Sequence, residues 1–340
     1  MLEIKKNYDL SPHLTMKVGD KAKFFAVIKN REDFLEAVNF AKQEKIDIFI
    51  LGGGSNTIIT KTLKSLVLKN EIKGMVIKKE TKTHIFLEVM SGESWMKLVN
   101  YSVNRGLYGL ENLASIYGTV GAAPIQNIGA YGAEFSQVFD SLLALDLKTA
   151  KEKIFKNKDC NFGYRSSVFK GRYKNRFFIY SLTLKLKKKA NLHLNYGSIA
   201  EELEKKGIKK PSPKNVADLV NSIRAEKLPN PAILPNSGSF FKNPEIKNSQ
   251  LKKIQINYPD IPVYPSTKKG MVKISAGWLI EKAGLKGKRF INVGMYEKQA
   301  LILVNYGGAQ AKDIIKMINR VKKIVKDKFS LDLEEEVNVL

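Results

Sequence analysis

The stretch that decides the fold is GLENLASIYGTVGAAPIQNIGAYGAE, residues 109–134. It lacks both the alternation of a strand and a sustained helical period, and irregular passages of this length in a compact domain are usually functional. Its small residues let the backbone approach a large flat ligand, and the amides of Gln126 and Asn127 can hydrogen-bond to one. The passage therefore favours a site for a nucleotide-type cofactor over a turn-rich linker. The small residues are Gly118, Gly121, Ala122, Ala123 and Gly129.

A second glycine-rich turn, GGGSN at residues 52–56, follows the short apolar run IDIFIL at residues 46–51. Its likeness to a dinucleotide fingerprint is weak, because Thr57 to Thr60 favour a strand, whereas a Rossmann loop opens a helix. Backbone N–H groups without Cβ hindrance can still form a nest for phosphate. Two interpretations stay open, a phosphate-binding loop and a plain tight turn.

The composition indicates a globular protein of two or three domains. The chain has 340 residues, 44% of them hydrophobic, which suffices for real cores at about 150 residues per domain. The start, MLEIKKNYDLSPH, lacks the apolar core of a secretory signal, and no run approaches the ~18 apolar residues of a membrane span. Cys160 stands alone, which excludes internal disulfides and fits a reducing compartment. We therefore expect a cytoplasmic protein with no metal site.

A formal net charge of +25 suggests a nucleic-acid-binding protein. Arginine, whose planar fork suits base and phosphate recognition, contributes only eight of the 58 basic residues, and lysine contributes the other fifty. One dense cluster, RVKKIVKDK at residues 320–328, has a helical period typical of the solvated face of an amphipathic helix. The lysine excess indicates a biased surface composition, so we expect no nucleic-acid partner and leave room for an anionic small substrate.

Periodicity predicts an α+β chain. A helix should begin after the N-cap Asn30 and lead into the strand at residues 46–51. The runs SLVLKN and MVIKK predict further strands, and extended segments should dominate from about residue 73 to 190, interrupted by one helix from Trp95 to Arg105. The predicted buried face of the first helix comprises Phe34, Leu35, Val38 and Ala41.

The last third of the chain should again mix helices and strands. A helix should begin at Ser212 and Pro213 and end near Glu226, and the segment SAGWLIEKA at residues 275–283 predicts another. The remaining predicted elements are strands at residues 289–294 and 300–306, a helix from Gln310 to Lys328, and a final strand at residues 331–340.

Three kinds of polar residue are candidates for chemistry. Ser239, in PNSGSFFKNP at residues 235–244, has no histidine in a site-like surrounding to activate it, so we expect no Ser-His-acid triad. Arg165, between an aromatic residue and two serines in a lysine-rich chain, is a candidate for bidentate anion binding, with an ordinary ion pair as the alternative. Strand alternation places Glu334 and Glu336 on one face, which alone predicts a solvated acidic end.

Several motifs resemble, in order and spacing, those of the UDP-N-acetylenolpyruvoylglucosamine reductase family: GGGSN, GTVGAAPIQNIGAYG, YRSSVFK, NSGSFFKNP, and a carboxylate before a C-terminal valine. The resemblance covers nearly the whole chain. It implies a cytoplasmic bacterial flavoenzyme of peptidoglycan precursor synthesis with an α+β, FAD-binding PCMH-type (vanillyl-alcohol-oxidase-type) fold. Two α+β FAD-binding subdomains would span residues 1–72 and 73–210, and an α+β substrate-binding domain residues 211–340, with the final strand 331–340 returning toward the flavin site.

The resemblance implies FAD as the bound cofactor and NADPH as the electron donor. The two glycine-rich loops would hold the FAD. The residues that match the family's motifs in these loops are Gly52, Gly53, Gly54, Ser55, Asn56, Gly118, Thr119, Gly121, Ala122, Gln126, Asn127, Gly129, Ala130, Tyr131 and Gly132.

The resemblance also implies a reaction. The flavin N5 would deliver a hydride to the methylene carbon of the enolpyruvyl ether of UDP-N-acetylglucosamine enolpyruvate, which gives UDP-N-acetylmuramate. Ser239 would donate a proton to the α-carbon, while Arg165 and a protonated Glu336 would brace the charge that develops on the carboxylate. The positions that match the family's substrate-binding residues are Tyr196, Lys227, Asn243 and Gln299.

Three positions depart from the family's pattern. Tyr117 replaces the proline usually found before Gly118, a change that can loosen the FAD loop. Glu335 stands where a proline is common and falls on the apolar side of the predicted strand, so a bulge there would change which terminal glutamate reaches the flavin. Asn338 replaces a common arginine, and the sequence suggests no function for the change.

Two alternative functions stay open. A FAD-dependent sugar-lactone or alcohol oxidase of similar fold would react readily with oxygen and produce hydrogen peroxide. A non-enzymatic polyanion binder would rest on the net charge alone. The leading hypothesis predicts a monomer that binds a small sugar-nucleotide substrate and neither nucleic acid nor a membrane.

Overall fold

The computed structural model describes residues 1–189 and 192–340. In chain order, the strands of these residues are β1 (Lys5–Asp9), β2 (Lys21–Ile28), β3 (Ile48–Leu51), β4 (Thr57–Ile58), β5 (Leu63–Asn70), β6 (Met75–Glu80), β7 (His84–Met90), β8 (Gly129–Ala130), β9 (Ala133–Glu134), β10 (Phe139–Asp146), β11 (Glu152–Lys156), β12 (Phe177–Lys187), β13 (Asn236–Ser239), β14 (Glu245–Lys247), β15 (Val263–Pro265), β16 (Met271–Ile274), β17 (Arg289–Phe290), β18 (Val293–Met295), β19 (Ile302–Asn305) and β20 (Asn338–Val339). The α-helices are α1 (Arg31–Gln43), α2 (Trp95–Asn104), α3 (Asn157–Cys160), α4 (Ile199–Lys205), α5 (Pro213–Lys227), α6 (Asn248–Asn257), α7 (Ala276–Lys282) and α8 (Ala311–Phe329). This mixture confirms the predicted α+β class.

The elements form two compact units. The division falls inside the GGGSN turn and inside α5, after Arg224. The division into three domains, with boundaries at 72/73 and 210/211, stays a prediction. The first unit comprises Met1–Asp9, Lys21–Gly54 and Thr62–Arg224, and the second comprises Leu10–Asp20, Ser55–Lys61 and Ala225–Leu340.

The first sheet of the first unit has the strand order β1-β2-β5-β3. β1 is antiparallel to β2, whereas β2, β5 and β3 run parallel to one another. Strands that run in the same direction need a crossover connection, and α1 supplies the one between β2 and β3. The predicted order of helix and strand after residue 30 is therefore confirmed.

The helix α1 begins at the predicted N-cap. The Asn30 side chain accepts a hydrogen bond from the Asp33 N–H at 2.8 Å, which satisfies one of the free donors of the first turn. The predicted buried face is wrong at Leu35, which is 37% exposed because it lies about 100° around the helix from Phe34. The residues that α1 does bury are Phe34, Ala37, Val38 and Ala41.

The second sheet of the first unit is antiparallel, with the order β11-β10-β12-β7-β6. Phe178 of β12 stacks on Phe34 of α1 with ring centroids 5.0 Å apart, so residues of both sheets share one apolar core. Both rings are buried, and burial of each contributes roughly 1.5–3 kcal/mol to the free energy of unfolding.

The irregular passage 109–134 packs against α2 in the first unit. The Trp95 side chain, at the start of α2, is buried, and its Nε1 donates to the Leu113 carbonyl at 2.9 Å. Regular structure in the passage is confined to short pieces, the 3-10 turns Glu111–Leu113 and Val120–Ala122 and the strands β8 and β9. The prediction that this stretch is irregular is confirmed.

The second unit is built on the sheet β13-β19-β18-β17, with smaller sheets β14-β16-β15 and β20-β4. The helix α8 covers the core of this unit and confirms the predicted amphipathic helix with a lysine-rich solvated face. Its buried residues are Ile314, Met317, Ile318, Val321, Val325 and Phe329.

Two predicted strands of the second unit are wrong in detail. Residues 289–294 form the hairpin β17–β18 instead of one strand, with Ile291 at its tip in the left-handed region at φ 59°. In the predicted final strand, only Asn338–Val339 form a strand, paired in parallel with β4. The residues before it hydrogen-bond irregularly to the serine loop, PNSGSFFKNP.

Among the residues that the structure describes, no helix is both long and apolar enough to cross a membrane. Those same ranges contain no group of three or more His, Cys, Asp or Glu residues able to hold a metal ion. Cys160 is buried, and desolvation raises the pKa of its thiol to about 12. A thiol of that pKa is inert near neutral pH, so Cys160 acts as a small apolar side chain.

Candidate functional site

The two glycine-rich loops touch each other in the first unit. A Cβ atom on Gly52 would lie 2.6 Å from the Thr119 Oγ1, and one on Gly53 would lie 2.8 Å from the Gly118 Cα. Separations below 3 Å leave no room for a side chain, and the Gly53 neighbour is backbone that cannot rotate away. The glycines therefore let the turn at 52–54 and the loop at 118–121 pack backbone to backbone.

A lysine anchors the first of these loops. Lys69, in β5, donates from its Nζ to the Gly52 carbonyl. The Gly52 carbonyl and the Gly53 N–H belong to one trans peptide and point in opposite directions, so the lysine fixes the direction of that N–H. Burial lowers the pKa of the Lys69 ammonium, Glu71 opposes this shift, and Lys73 adds to it. A backbone N–H held in one direction suits a phosphate group.

The second loop is fixed by the connection between β7 and α2. The Gly121 N–H donates to the Ser91 carbonyl at 2.8 Å, and the Val120 N–H donates to the Glu93 carbonyl at 2.8 Å. A Cβ on Gly121 would lie 2.6 Å from the Ser91 Cβ, so this approach also requires glycine. The loop backbone is thus held rigidly where the cofactor loop is predicted.

Asn127, predicted to offer an amide to the cofactor, is 1% exposed and bonded inside the first unit. Its Nδ2 donates to the Glu134 Oε2 at 2.9 Å and to the Gly163 carbonyl at 3.3 Å, and its Oδ1 accepts from the Ser136 N–H at 2.9 Å. These bonds support a left-handed backbone, with φ at 46°, that asparagine tolerates better than most residues. The side chain orders the loop, and its role toward FAD stays a prediction.

Arg165 lies at the tip of a two-residue turn. Gly163 and Ser166 close this turn with reciprocal backbone hydrogen bonds of 3.1 Å. Arg165 has φ at 51°, a strained value for a residue with a side chain, and strain of this kind clusters at functional sites. Its Nη2 donates to the Gly129 carbonyl at 2.8 Å, so the guanidinium reaches the glycine-rich passage.

The turn that carries Arg165 is tied to the same passage by its neighbours. The Ser167 hydroxyl donates to the Ile125 carbonyl at 2.6 Å, and the Lys170 Nζ donates to the Gln126 Oε1 at 3.3 Å. Gln126, a predicted cofactor residue, therefore contacts the segment that follows Arg165. The structure brings the predicted arginine and the predicted FAD loop together.

Tyr196, matched to a substrate-binding tyrosine, also lies against this passage. Its ring meets the Tyr131 ring edge to face, with centroids 6.1 Å apart, and a Cβ on Gly132 would lie 3.2 Å from the Tyr196 Cβ. The buried Asn112 amide donates to the carbonyls of Tyr131 and His193 at 2.9 and 2.8 Å, which ties the Tyr196 segment to the passage. The Tyr196 side chain stays 42% exposed.

Sequence reasoning missed Arg224 of α5. Its Nε is buried and has no hydrogen-bond partner in the described residues. Burial lowers the pKa of the guanidinium, the neighbouring hydroxyls of Tyr131 and Tyr117 oppose the shift, and Arg165 adds to it. A signal for Arg224 was present, because it is, like Arg165, one of only eight arginines in a lysine-rich chain.

The serine loop belongs to the second unit and is held by Asn236. The Asn236 Nδ2 donates to the carbonyls of Pro229 and Leu234 at 3.1 and 2.8 Å, and its Oδ1 accepts from the Gly238 N–H at 2.9 Å. The pairing of β13 with β19 is irregular between Asn236 and Ser239, where Gly238 has φ at 69°. The irregularity leaves Ser239 exposed at the end of β13.

Glu336 lies beside the serine loop within the second unit. Its N–H donates to the Phe240 carbonyl at 2.8 Å, one residue after Ser239. Its carbonyl accepts from the Asn56 Nδ2 at 3.2 Å, and the Asn338 Nδ2 donates to the Asn56 carbonyl at 3.0 Å. Asn338 therefore helps to bind the GGGSN turn to the C-terminal segment, a role that the sequence did not suggest.

The two neighbouring glutamates are engaged by lysines. Glu334 pairs with Lys242, and both oxygens of Glu335 accept from the Lys322 Nζ of α8, at 3.0 and 3.2 Å. This ion pair explains how a glutamate occupies the inner side of the segment, between the buried Leu333 and Val337.

Two of the predicted substrate-binding residues meet at the start of α7. The Asn243 Oδ1 accepts from the Ala276 N–H at 3.0 Å, and the Gln299 Oε1 would lie 3.1 Å from a Cβ on Gly277. Lys227 is exposed at the C-terminal end of α5. The structure thus groups Asn243 and Gln299, while Lys227 lies on a separate element of the same unit.

The residues of the first unit fit FAD. The contact of Gly53 with Gly118 creates a backbone surface that any side chain would disrupt, and the bond of Lys69 to the Gly52 carbonyl fixes the direction of the Gly53 N–H. Such a surface suits the diphosphate of a dinucleotide. The half-buried Tyr131, which interacts electrostatically with Arg224, offers an aromatic and hydrogen-bonding wall for a flat ring system.

Comparison with protein families gives two matches. Residues 230–340 match the model of the C-terminal domain of UDP-N-acetylenolpyruvoylglucosamine reductase, and residues 22–157 match the model of an FAD binding domain. The chain is 40% identical over 338 residues to the UDP-N-acetylenolpyruvoylglucosamine reductase of Pseudomonas aeruginosa, covering 99% of both chains. It is 42% identical over 340 residues to the enzyme of that name from Flavobacterium johnsoniae, covering 100% of both.

A solved structure supports the same fold. The crystal structure of UDP-N-acetylenolpyruvylglucosamine reductase from Thermus caldophilus matches with a TM-score of 0.70 and 22% sequence identity, covering 100% of this chain and 98% of that one. This match and the FAD binding domain confirm the predicted fold class. On the full-length identity of its relatives, the chain belongs to the UDP-N-acetylenolpyruvoylglucosamine reductase family.

Proposed function

We propose that this chain is the FAD-dependent reductase that converts UDP-N-acetylglucosamine enolpyruvate to UDP-N-acetylmuramate in peptidoglycan precursor synthesis, with NADPH as the electron donor. Family membership supports the reaction. The observation that carries the assignment of the site is the hydrogen bonding of residues 240–242 to residues 334–336, which places Glu336 beside the loop of Ser239.

The chemistry divides between a hydride and a proton. FAD, when bound, supplies the hydride for the methylene carbon of the enolpyruvyl ether. Negative charge then spreads from the α-carbon into the carboxylate, and Ser239 donates a proton to that carbon. Ser239 acts as an acid and not as a nucleophile, so it needs no histidine beside it.

Two further residues stabilise the developing charge in this proposal. The Arg165 guanidinium offers parallel N–H donors to the substrate carboxylate, and the strained turn fixes its direction before the substrate arrives. A protonated Glu336 donates a hydrogen bond to the same group. Both act most strongly on the charged transition state, so they lower the barrier more than they tighten binding.

The remaining matched residues would bind the substrate outside the reacting group. Tyr196, whose segment lies against the passage 109–134, would close over the substrate. Lys227, Asn243 and Gln299 would bind the anionic and sugar parts of the substrate. The partner is a small sugar nucleotide. A monomeric state and a cytoplasmic location complete the proposal.

An anaerobic absorbance titration tests the function. NADPH should bleach the flavin bands of the holoenzyme, and UDP-N-acetylglucosamine enolpyruvate should restore them. Bleaching without recovery would reject the substrate and favour an oxidase of similar fold, recognisable by hydrogen peroxide formed with sugar lactones. Absence of flavin after reconstitution with FAD would reject a flavoenzyme.

Lys69 should contribute to FAD retention. We expect Lys69→Met to raise the dissociation constant for FAD by roughly 10-fold, because it removes the charge-assisted hydrogen bond to the Gly52 carbonyl that fixes the direction of the Gly53 N–H. Lys73→Met is the matched control, since Lys73 likewise donates to a glycine carbonyl, that of Gly92. FAD fluorescence on release measures both constants, and equal weakening in the two variants would contradict the expectation.

A further inference from the structure

Glu111 is a buried acid to which neither the motifs nor the proposed mechanism gives a role. It lies in the passage 109–134 and is 1% exposed. Its Oε2 accepts from the Gly109 N–H at 2.6 Å, while its Oε1 is buried and has no hydrogen-bond partner in the described residues. A buried carboxylate is costly unless hydrogen bonds and a positive charge compensate it. The backbone hydrogen bonds of Glu111 supply no such charge.

His193 is the side chain that offers a positive charge to this carboxylate. Desolvation raises the pKa of the Glu111 carboxyl group above its ordinary value, whereas hydrogen bonds from the backbone of residues 109–111 and the charge of His193 oppose that shift. His193 is exposed to solvent, and histidine gains its proton near neutral pH. Glu111 and His193 therefore form a charge pair with one buried and one exposed member.

The backbone of His193 is bound at the same place. The side chain of Asn112, the residue after Glu111, donates from Nδ2 to the His193 carbonyl at 2.8 Å and to the Tyr131 carbonyl at 2.9 Å. His193 lies three residues before Tyr196, whose ring meets that of Tyr131. Asn112 thus fixes the backbone of the segment of residues 192–198, and Glu111 attracts a charged side chain of the same segment.

Local packing alone holds the Tyr196 end of this segment weakly. The Tyr196 side chain is 42% exposed, and a Cβ on the adjacent Gly197 would meet no atom within 4 Å. Segments with few buried contacts open at a low cost in free energy. An added attraction at His193 should therefore increase the population of the conformation in which the segment lies against the passage 109–134.

We propose that Glu111 is a positioning residue of this active site, which holds the segment of residues 192–198 through the charge of His193 and so favours the conformation in which Tyr196 covers the substrate. The inference rests on the proposed function, which gives Tyr196 its place over the substrate. Because Tyr196 would contact the substrate and the transition state alike, loss of the charge pair should raise KM and leave kcat unchanged.

The test compares the steady-state kinetics of holoenzyme variants at about pH 6, where histidine is largely charged. His193→Gln and Glu111→Gln should each raise KM for UDP-N-acetylglucosamine enolpyruvate roughly 3- to 5-fold, the range expected for one partly exposed charge pair. His193→Lys keeps the positive charge and should restore the wild-type KM. His84→Gln is the control and should change neither constant, because His84 lies on β7 of the same unit with Lys185 and Lys187 as its charged neighbours.

Two double-mutant cycles locate the effect. Glu111→Gln combined with His193→Gln should raise KM no further than either substitution alone, because both remove the same attraction. In a Tyr196→Ala enzyme, whose KM is already raised, His193→Gln should have no further effect. If Glu111→Gln does not fold, His193→Gln and His193→Lys decide the question, since they change an exposed side chain.

Several results would overturn the inference. Additive effects in the first cycle would show that Glu111 and His193 act separately, and an undiminished effect of His193→Gln in the Tyr196→Ala enzyme would show that His193 acts on the substrate directly. A fall in kcat, or a KM equal to that of His84→Gln, would contradict the positioning role while leaving the proposed function intact. Absence of substrate turnover by the wild-type holoenzyme would overturn the proposed function, and the inference with it.

Discussion

Replacing Ser239 with alanine should leave the reduction of FAD by NADPH at its wild-type rate while slowing the reduction of UDP-N-acetylglucosamine enolpyruvate by ~100-fold or more. The first half-reaction transfers a hydride to the cofactor and needs no proton at the α-carbon. The second requires that proton while charge is held on the carboxylate. Stopped-flow absorbance of the flavin bands measures the two half-reactions separately.

The loop itself offers a matched control. Ser237, two residues away, is buried, and its hydroxyl has no hydrogen-bond partner in the described residues. Ser237→Ala therefore removes no bond and should leave both half-reactions close to wild type. Equal loss in both half-reactions of Ser239→Ala would assign the serine to FAD binding or to loop structure, and would remove the proton-donor role.

The local elements of the fold could be predicted well because short-range physics decides them. The N-cap Asn30 and the spacing of Val38 and Ala41 specify α1, and the apolar period of residues 311–329 specifies α8. The hairpin at residues 289–295 was not predicted, because its turn residues, Ile291 and Asn292, are not one of the Asn-Gly or Asp-Gly pairs that mark a two-residue turn. Ile291 adopts a left-handed conformation that isoleucine disfavours, and only the pairing of β17 with β18 imposes it.

The residues of the candidate site likewise fall into those that the sequence predicted and those that it did not. Ser239 and Arg165 were found because each lies in a distinctive run of neighbours. Arg224 and Lys69 were missed because their importance depends on interactions between distant parts of the chain, the electrostatic effect of Tyr131 on Arg224 and the hydrogen bond from Lys69 to the Gly52 carbonyl. A helix position such as that of Arg224 looks solvated in sequence, and only the packing of α5 against the passage 109–134 buries its Nε.

The sequence leaves open which C-terminal glutamate, Glu335 or Glu336, acts on the substrate. The contacts of the two residues narrow this choice. Strand alternation could not decide between Glu335 and Glu336, because a bulge would exchange them. Both carboxylate oxygens of Glu335 accept hydrogen bonds from the Lys322 Nζ of α8, so this carboxylate is already engaged by a lysine. The Glu336 N–H instead donates a hydrogen bond to the carbonyl of Phe240, the residue after Ser239. If Glu336 is the carboxyl group that acts on the substrate, substitutions of Glu336 and of Glu335 should differ sharply in their effect on substrate reduction.

Glu336→Ala should slow substrate reduction about 100- to 1,000-fold, the loss typical of removing one donor to a developing oxyanion. The reduction of FAD by NADPH should stay close to wild type. Glu335→Ala is the control. It removes an ion pair in which the Glu335 side chain is 26% exposed and the Lys322 side chain 38% exposed. Glu335→Ala should therefore lower the free energy of unfolding by at most about 1 kcal/mol and have little effect on activity. Single-turnover kinetics and thermal unfolding measure the two effects.

A third variant tests the charge state of Glu336. If a protonated carboxyl group donates a hydrogen bond to the substrate carboxylate, Glu336→Gln should retain much of the activity that Glu336→Ala loses, because the amide is a neutral donor of nearly the same shape. If Glu336 works as an anion, the glutamine and alanine variants should be equally slow. If Glu335→Ala is the slow variant instead, the contacts of Glu335 with Lys322 must open in the working enzyme, and the role passes to that residue.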